Sequence, residues 1–197
     1  MALLAALFLA LTGCTSLSNY RSAYGPDGPQ VMLAASNGTA TFTGEGTSFL
    51  PEAEVRIPVN QERSLVVGAK AFAGGASLDW QYAMYQGDRI ATAVDLAVEY
   101  TQEGSDLFGN GATRYATVTP AALLSYRALD WLELSLMART PVTLQTGPEI
   151  RALFGGNVSM KIGTNIGLIP QAGVYADTDG KWLLNAGVAV FATFAQR

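Results

Sequence analysis

IATAVDLAVEYT, residues 90–101, is the stretch whose reading decides the fold. Ile90, Thr92, Val94, Leu96, Val98 and Tyr100 alternate one for one with Ala91, Ala93, Asp95, Ala97, Glu99 and Thr101. A helix would need apolar residues three and four apart, whereas a period of two sends one apolar row to one side of a sheet. The segment is therefore a strand with two unlike faces. At about a dozen residues it is long for a globular domain and close to what a tilted strand needs to cross a bilayer.

Working outward, the same alternation recurs near 51–59, 63–73, 76–85, 114–127, 132–137, 149–162, 167–176 and 181–194, with turn residues between. That spacing belongs to an all-β sandwich or barrel. The first segment, 30–45, is the least regular, because Ser36, Asn37 and Gly38 allow a bulged strand or a small hairpin. The expected fold is an all-β, antiparallel up-and-down β-barrel over residues 30–197, with about ten strands and bounds of eight and twelve. The longest connection is 102–113; with it set on the outer side, the turns near Gln61, Gly87, Leu129 and Thr164 share the opposite end. Pro120 and Pro170 fit poorly in central strands, so bulges or strand ends are expected there.

The composition fits a chain that avoids water along its length. Of 197 residues 49% are hydrophobic and only 14% charged, against about 25% charged in an ordinary soluble domain. A net charge of −4 gives no electrostatic footprint for nucleic acid, and no such partner is expected.

The first residues read separately. The apolar run 2–11 is too short to span a membrane as a helix and fits the core of a secretory signal. It ends in Leu11, Thr12, Gly13 and Cys14. LTGC resembles the lipobox of bacterial lipoproteins, although no Lys or Arg precedes the apolar run as it does in that family. The resemblance implies cleavage before Cys14, covalent lipid on its thiol and amino group, and, with Thr15 next, delivery to the outer membrane. The alternative reading is an ordinary signal peptide with an incidental cysteine. The expected organisation is thus a lipoprotein signal peptide over 1–13, a lipidated polar tether over 14–29 without a core of its own, and the barrel domain. An even strand count would return both ends of the barrel, and a lipidated Cys14, to the short-turn side.

Alternation alone does not say which row faces out. In a lipocalin-like soluble barrel the apolar row lines the inside. Here the opposite rows hold Ala, Gly, Ser, Thr and scattered charges, whereas a water-facing sheet carries many Lys and Glu. Tyr85, Tyr100, Tyr115, Tyr126, Trp131 and Trp182 also fall near strand ends, where interfacial girdles would put them. With the apolar row outward, Glu52, Glu54, Arg56, Lys70, Asp79, Asp95, Glu99, Glu133, Arg139, Glu149, Arg151 and Lys161 point into the lumen, where both signs are expected to pair across a narrow barrel. The pattern resembles bacterial outer-membrane β-barrel proteins over nearly all of the mature chain. The resemblance is architectural, and the terminal aromatic many such proteins carry is displaced here to Phe194.

No catalytic residue is expected. The chain has no His, the side chain whose ionisation lies near neutrality, and its one Cys belongs to the lipobox, so neither His-based hydrolysis nor a zinc site is supported. No metal or other cofactor is expected beyond lipid on Cys14. Asp177, Thr178, Asp179 and Gly180 read as a hairpin, not a calcium loop. Leu107 and Phe108, in the longest loop, are the candidates for contact with a partner or surface. The function expected is a lipid-anchored outer-membrane barrel with a structural, envelope or surface-interaction role, in contact with outer-membrane lipid and an envelope protein partner. The alternatives are a small pore or transporter and a periplasm-facing, lipocalin-like carrier of an apolar ligand.

Overall fold

The structure, a computed structural model, describes residues 17–38, 48–72, 74–103, 113–145, 150–180 and 182–194. Within them the period-two segments form β1 (Gln30–Gly38), β2 (Ser48–Pro58), β3 (Leu65–Phe72), β4 (Gly75–Gln86), β5 (Ile90–Glu103), β6 (Thr113–Leu129), β7 (Leu132–Arg139), β8 (Val142–Gln145), β9 (Ile150–Gly163), β10 (Ile166–Asp177) and β11 (Trp182–Thr193). All pairings are antiparallel; β1 meets β11 and β9 meets β10, so the sheet closes on itself. The result is a ten-strand closed barrel with one extra strand, as the alternation implies.

The extra strand is β8, which the sequence reading missed. β7 pairs with β6 and β9, and beyond Thr140 and Pro141 the short β8 takes up the same two neighbours. One stave of the barrel is therefore broken in two by a proline that has no N–H to give the ladder. The break is bridged by Thr140 N donating to Pro120 O at 3.1 Å and Leu153 N donating to Pro141 O at 2.9 Å. Pro120 thus lies inside β6, not at its end, opposite the break. Pro170 is also internal, and the β9–β10 ladder skips it between Leu168↔Ile162 and Gln171↔Ser159.

The two rows face as the alternation suggests. Leu96 and Val188 are 45% and 44% exposed on the outside, while Asp95 and Glu99, one residue away from Leu96 and Val98, are 5% and 4% exposed inside. Among the described residues every exposed charge, Asp27, Glu62, Arg63, Asp88, Arg89, Asp130 and Asp179, lies before β1 or in a turn, never on the outer face of a strand. Tyr85, Tyr126 and Trp131 stand exposed near the short-turn end and Tyr100 and Trp182 near the other. Tyr115 does not join them: it shares the inward row of Thr117 and Thr119 and is half-buried.

The expected tether takes a different course. From Leu17 the segment preceding β1 lies inside the barrel, with Leu17, Ser18, Asn19, Tyr20, Arg21 and Ala23 buried. Its polar character, read as suited to solvent, suits a polar lumen equally well. Small apolar clusters help seat it: Tyr20 against Met32, Ile169, Ala189 and Phe191, and Ala23 against Ala91, Ala93, Leu123 and Met137. Leu11, Thr12, Gly13, Cys14, Leu107, Phe108 and Glu149 lie outside the described residues, as does the side chain of Arg151.

Because Ala93 is 2% exposed against Ala23, Ala93→Leu should overpack the lumen and cost about 1–3 kcal/mol. Val94→Leu, one residue along on the outer face, should stay within about 0.5 kcal/mol. Denaturant midpoints of the two variants in the same detergent check the contrast.

Candidate functional site: the occupied lumen

An irregular segment inside a barrel has no strand to bond with, so its backbone groups must find side chains. The wall supplies them. Asn19 N donates to Gln171 Oε1 at 2.8 Å and Ala23 N to Ser125 Oγ at 2.8 Å. Leu17 O accepts from Arg139 Nη1 at 3.2 Å, Asn157 Nδ2 at 3.0 Å and Tyr175 Oη at 3.2 Å. Ser18 O accepts from Lys70 Nζ at 3.1 Å, and Ser22 O from Gln81 Nε2 at 2.8 Å. The segment runs lengthwise. Tyr24 Oη donates to Gly87 O at the short-turn end, at 3.2 Å, whereas the partners of Leu17 stand well along their strands towards the longer loops.

Arg21 is the centre of the arrangement. Its Nη1 donates to both Asp95 oxygens, at 2.8 and 2.7 Å, its Nη2 to Asp79 Oδ2 at 2.8 Å and its Nε to Glu54 Oε1 at 3.3 Å. Period two places these carboxylates on the inner face of β2, β4 and β5. Arg56 packs beside them, donating from Nη2 to Gln81 Oε1 at 2.7 Å and standing 3.6 Å from Glu54 and 3.8 Å from Asp79. The register explains how: Gly68 lies between Arg56 and Asp79 across β3, and a Cβ there would strike the Asp79 carboxylate. A missing side chain on the middle strand lets its two neighbours approach each other.

The remaining lumen residues fall into smaller groups. Glu52 accepts from Ser18 Oγ and, at 2.6 Å, from Ser36 Oγ, with Lys70 Nζ at 3.4 Å. Glu99 accepts from Thr101 Oγ1 at 3.1 Å. Glu133 accepts from Ser22 Oγ and from Ser135 Oγ at 3.1 Å. Lys161, half-buried and opposite Glu133 in register, lies 4.9 Å from the Phe191 ring centroid. The wall charges pair among themselves, as Arg56 does with Glu54 and Asp79 and Lys70 with Glu52, and around Glu54, Asp79 and Asp95 pairing with a chain inside the lumen is added.

Sequence reasoning did not include Arg21, Ser18, Asn19 or Ser22 in the site. One signal was available: Arg21 is the only Lys or Arg before Arg56, and the inner rows of the strands carry more acids than bases.

With the segment in place the middle of the lumen is full. The crevice beside Arg21 and Arg56 measures only ≈ 10 Å³, while a mouth at the short-turn end, lined among others by Tyr24, Arg127, Glu133 and Lys161, opens to ≈ 350 Å³. That crevice holds about one water molecule.

No protein-family model matches the chain, and no curated protein matches it. Among solved structures it is similar to the NanC porin, at 9% identity and TM-score 0.48 over 84% of this chain and 100% of that one. It is also similar to the KdgM porin, at 9% identity and TM-score 0.44 over 84% and 99%. The outer membrane channel DcaP of Acinetobacter baumannii matches at 12% identity and TM-score 0.36 over 95% of this chain and 69% of that one.

Arg21→Ala leaves Glu54 and Asp79 with Arg56 alone, takes from Asp95 its bonds to Nη1, and should cost about 3–5 kcal/mol, the range for breaking a buried ion pair. The Arg63–Asp27 pair at the mouth, 43% and 73% exposed, sets the comparison: Asp27→Asn should cost less than about 1 kcal/mol. Equilibrium unfolding of both variants measures the difference.

Proposed function

We propose that this chain is a lipid-anchored outer-membrane β-barrel, sealed by its own N-terminal segment, with a structural, envelope or surface-interaction role and no catalytic chemistry. The observation that carries the reading is the inverted polarity of the barrel. Leu96, Val188 and their neighbours face out, the exposed charges among the described residues lie before β1 or in turns, and Asp79 and Arg56 are fully buried. In water such a surface would expose a continuous apolar band, whereas in a bilayer it is the required solvent face. A closed sheet with an even number of staves and short turns at one end matches barrels of the bacterial outer membrane. The short-turn end would face the periplasm. A lipocalin-like carrier of an apolar ligand is set aside, because the interior is polar and filled.

Cys14 precedes Leu17 by three residues, a reach of about 10 Å. Leu17 is bonded to Arg139 and Tyr175, which pair with Gly155, eight residues along β9 from the turn at Gly163. Leu17, as seated, therefore lies nearer the longer loops than the short-turn end.

A second reading, a small pore, is favoured by one observation: the lumen is closed by a chain segment and not by the wall alone. Without it, Glu52, Glu54, Asp79, Asp95, Glu99 and Glu133 would line the lumen together with Arg56, Lys70, Arg139 and Lys161.

The test is solubility after Cys14→Ala. The variant should still need detergent, because the barrel itself is the embedded part; recovery in the soluble fraction would overturn the membrane assignment. Leu96→Arg should cost about 2–4 kcal/mol in a bilayer, measured by unfolding from lipid vesicles. In planar bilayers the full chain should be silent, and deletion of residues 17–28 should give a conductance that favours cations.

A further inference from the structure

The three nitrogens of Arg21 meet three different carboxylates: Nε meets Glu54, Nη1 meets Asp95 and Nη2 meets Asp79, at 3.3, 2.7 and 2.8 Å. A guanidinium is planar and sends its donors out in fixed directions, which an ammonium does not. Acids placed to take each nitrogen separately recognise that group as such. The carboxylates all belong to the wall; the cation alone belongs to the lumen segment.

We propose that Glu54, Asp79 and Asp95 form a guanidinium-binding site in the lumen, that Arg21 occupies it as an internal ligand, and that a small alkylguanidinium cation is the class of solute the site accepts when the Arg21 side chain is withdrawn.

Two further observations point the same way. Asp79 Oδ1 is completely buried and accepts no hydrogen bond even with Arg21 seated; Arg56 Nη2 stands 3.8 Å from it, beyond bonding distance. The wall therefore holds, on a carboxylate that Arg21 bonds through Oδ2, one acceptor oxygen that Arg21 leaves unused. The site also has an approach. Tyr24 and Lys161 line both the ≈ 350 Å³ mouth at the short-turn end and the ≈ 10 Å³ crevice that reaches Arg21. Tyr24 lies beneath the Arg127 guanidinium, 4.1 Å from the ring centroid, so the route is covered by a contact between two side chains and not by a strand. Among the described residues no group of His, Cys, Asp and Glu is arranged to hold a metal ion.

The full-length Arg21→Ala protein in detergent micelles tests this, with methylguanidinium chloride as probe and methylammonium chloride at equal ionic strength as control. Thermal unfolding followed by far-UV circular dichroism should show a saturable rise in Tm with methylguanidinium. Its midpoint concentration should lie about tenfold below that of methylammonium, the advantage of a bidentate fork over a point charge. The unaltered chain, its site filled, should show no saturable rise, and adding Asp95→Asn to Arg21→Ala should abolish the preference. Equal responses to the two salts, or equal responses of the variant and the unaltered chain, would overturn the proposal. Should Arg21→Ala not fold unaided, its refolding yield becomes the readout: recovery with methylguanidinium and not with methylammonium supports the site, and equal yields refute it. None of these readouts depends on membrane location or conductance, so they stand or fall apart from the function proposed above.

Discussion

The backbone of the lumen segment imposes the constraint on which the rest of the structure depends. From Leu17 to Ala23 the chain runs without a strand partner through a space closed to bulk water, and an unbonded peptide group there costs free energy comparable to a lost hydrogen bond. The wall must therefore offer donors and acceptors at the level of each group, as Gln171, Ser125, Lys70 and Gln81 do. A polar inner row is in turn affordable only if the outer row carries the apolar burial. The inverted barrel and the irregular segment within it are two consequences of the same requirement.

The two faces of the wall were legible because a strand writes its environment into its sequence at a fixed period. Asp95 and Leu96 differ by one position and by the whole thickness of the sheet. The lumen segment leaves no such mark. Its bonds run to Glu54, Asp79, Asp95 and Asn157, between 33 and 140 residues away, and side chains that satisfy a non-repeating backbone need no repeat of their own. Ser, Asn, Gly and Pro describe such a chain and a solvated linker alike. β8 escaped for a related reason: the four residues that follow Pro141 in it are too few to show a period.

Prolines show how far local rules reach. Pro120, Pro141 and Pro170 all lie within the wall or its break, and none ends the barrel. At Pro141 the missing donor is absorbed because the stave simply stops and resumes, with Thr140 and Leu153 bonding across the gap. At Pro170 the ladder to β9 skips two residues while β11 remains paired through Pro170↔Val188. A closed sheet has a second neighbour for every strand, so loss of bonds on one side does not release the strand. That redundancy is a property of closure and is invisible to any reading of one strand at a time.

The buried ions around Arg21 also bear on register. Burying charges rarely stabilises a fold more than an apolar filling would, since desolvation offsets most of the attraction. In a barrel with an alternating pattern, however, shifting one strand by a single residue exchanges its faces. Such a slip of β4 would carry Asp79 from the lumen to the apolar outer face and bring Leu78 or Trp80 inward, against Arg56. A slip of two would keep the faces but move Asp79 off the level of Gly68, where a side chain would collide with its carboxylate. Glu54, Asp79 and Asp95 meet one guanidinium only when β2, β4 and β5 all hold their present alignment with Arg21. The cluster thus penalises misalignment far more than it rewards alignment, and in a sheet whose outer row is apolar in several registers alike, that difference is what selects one of them.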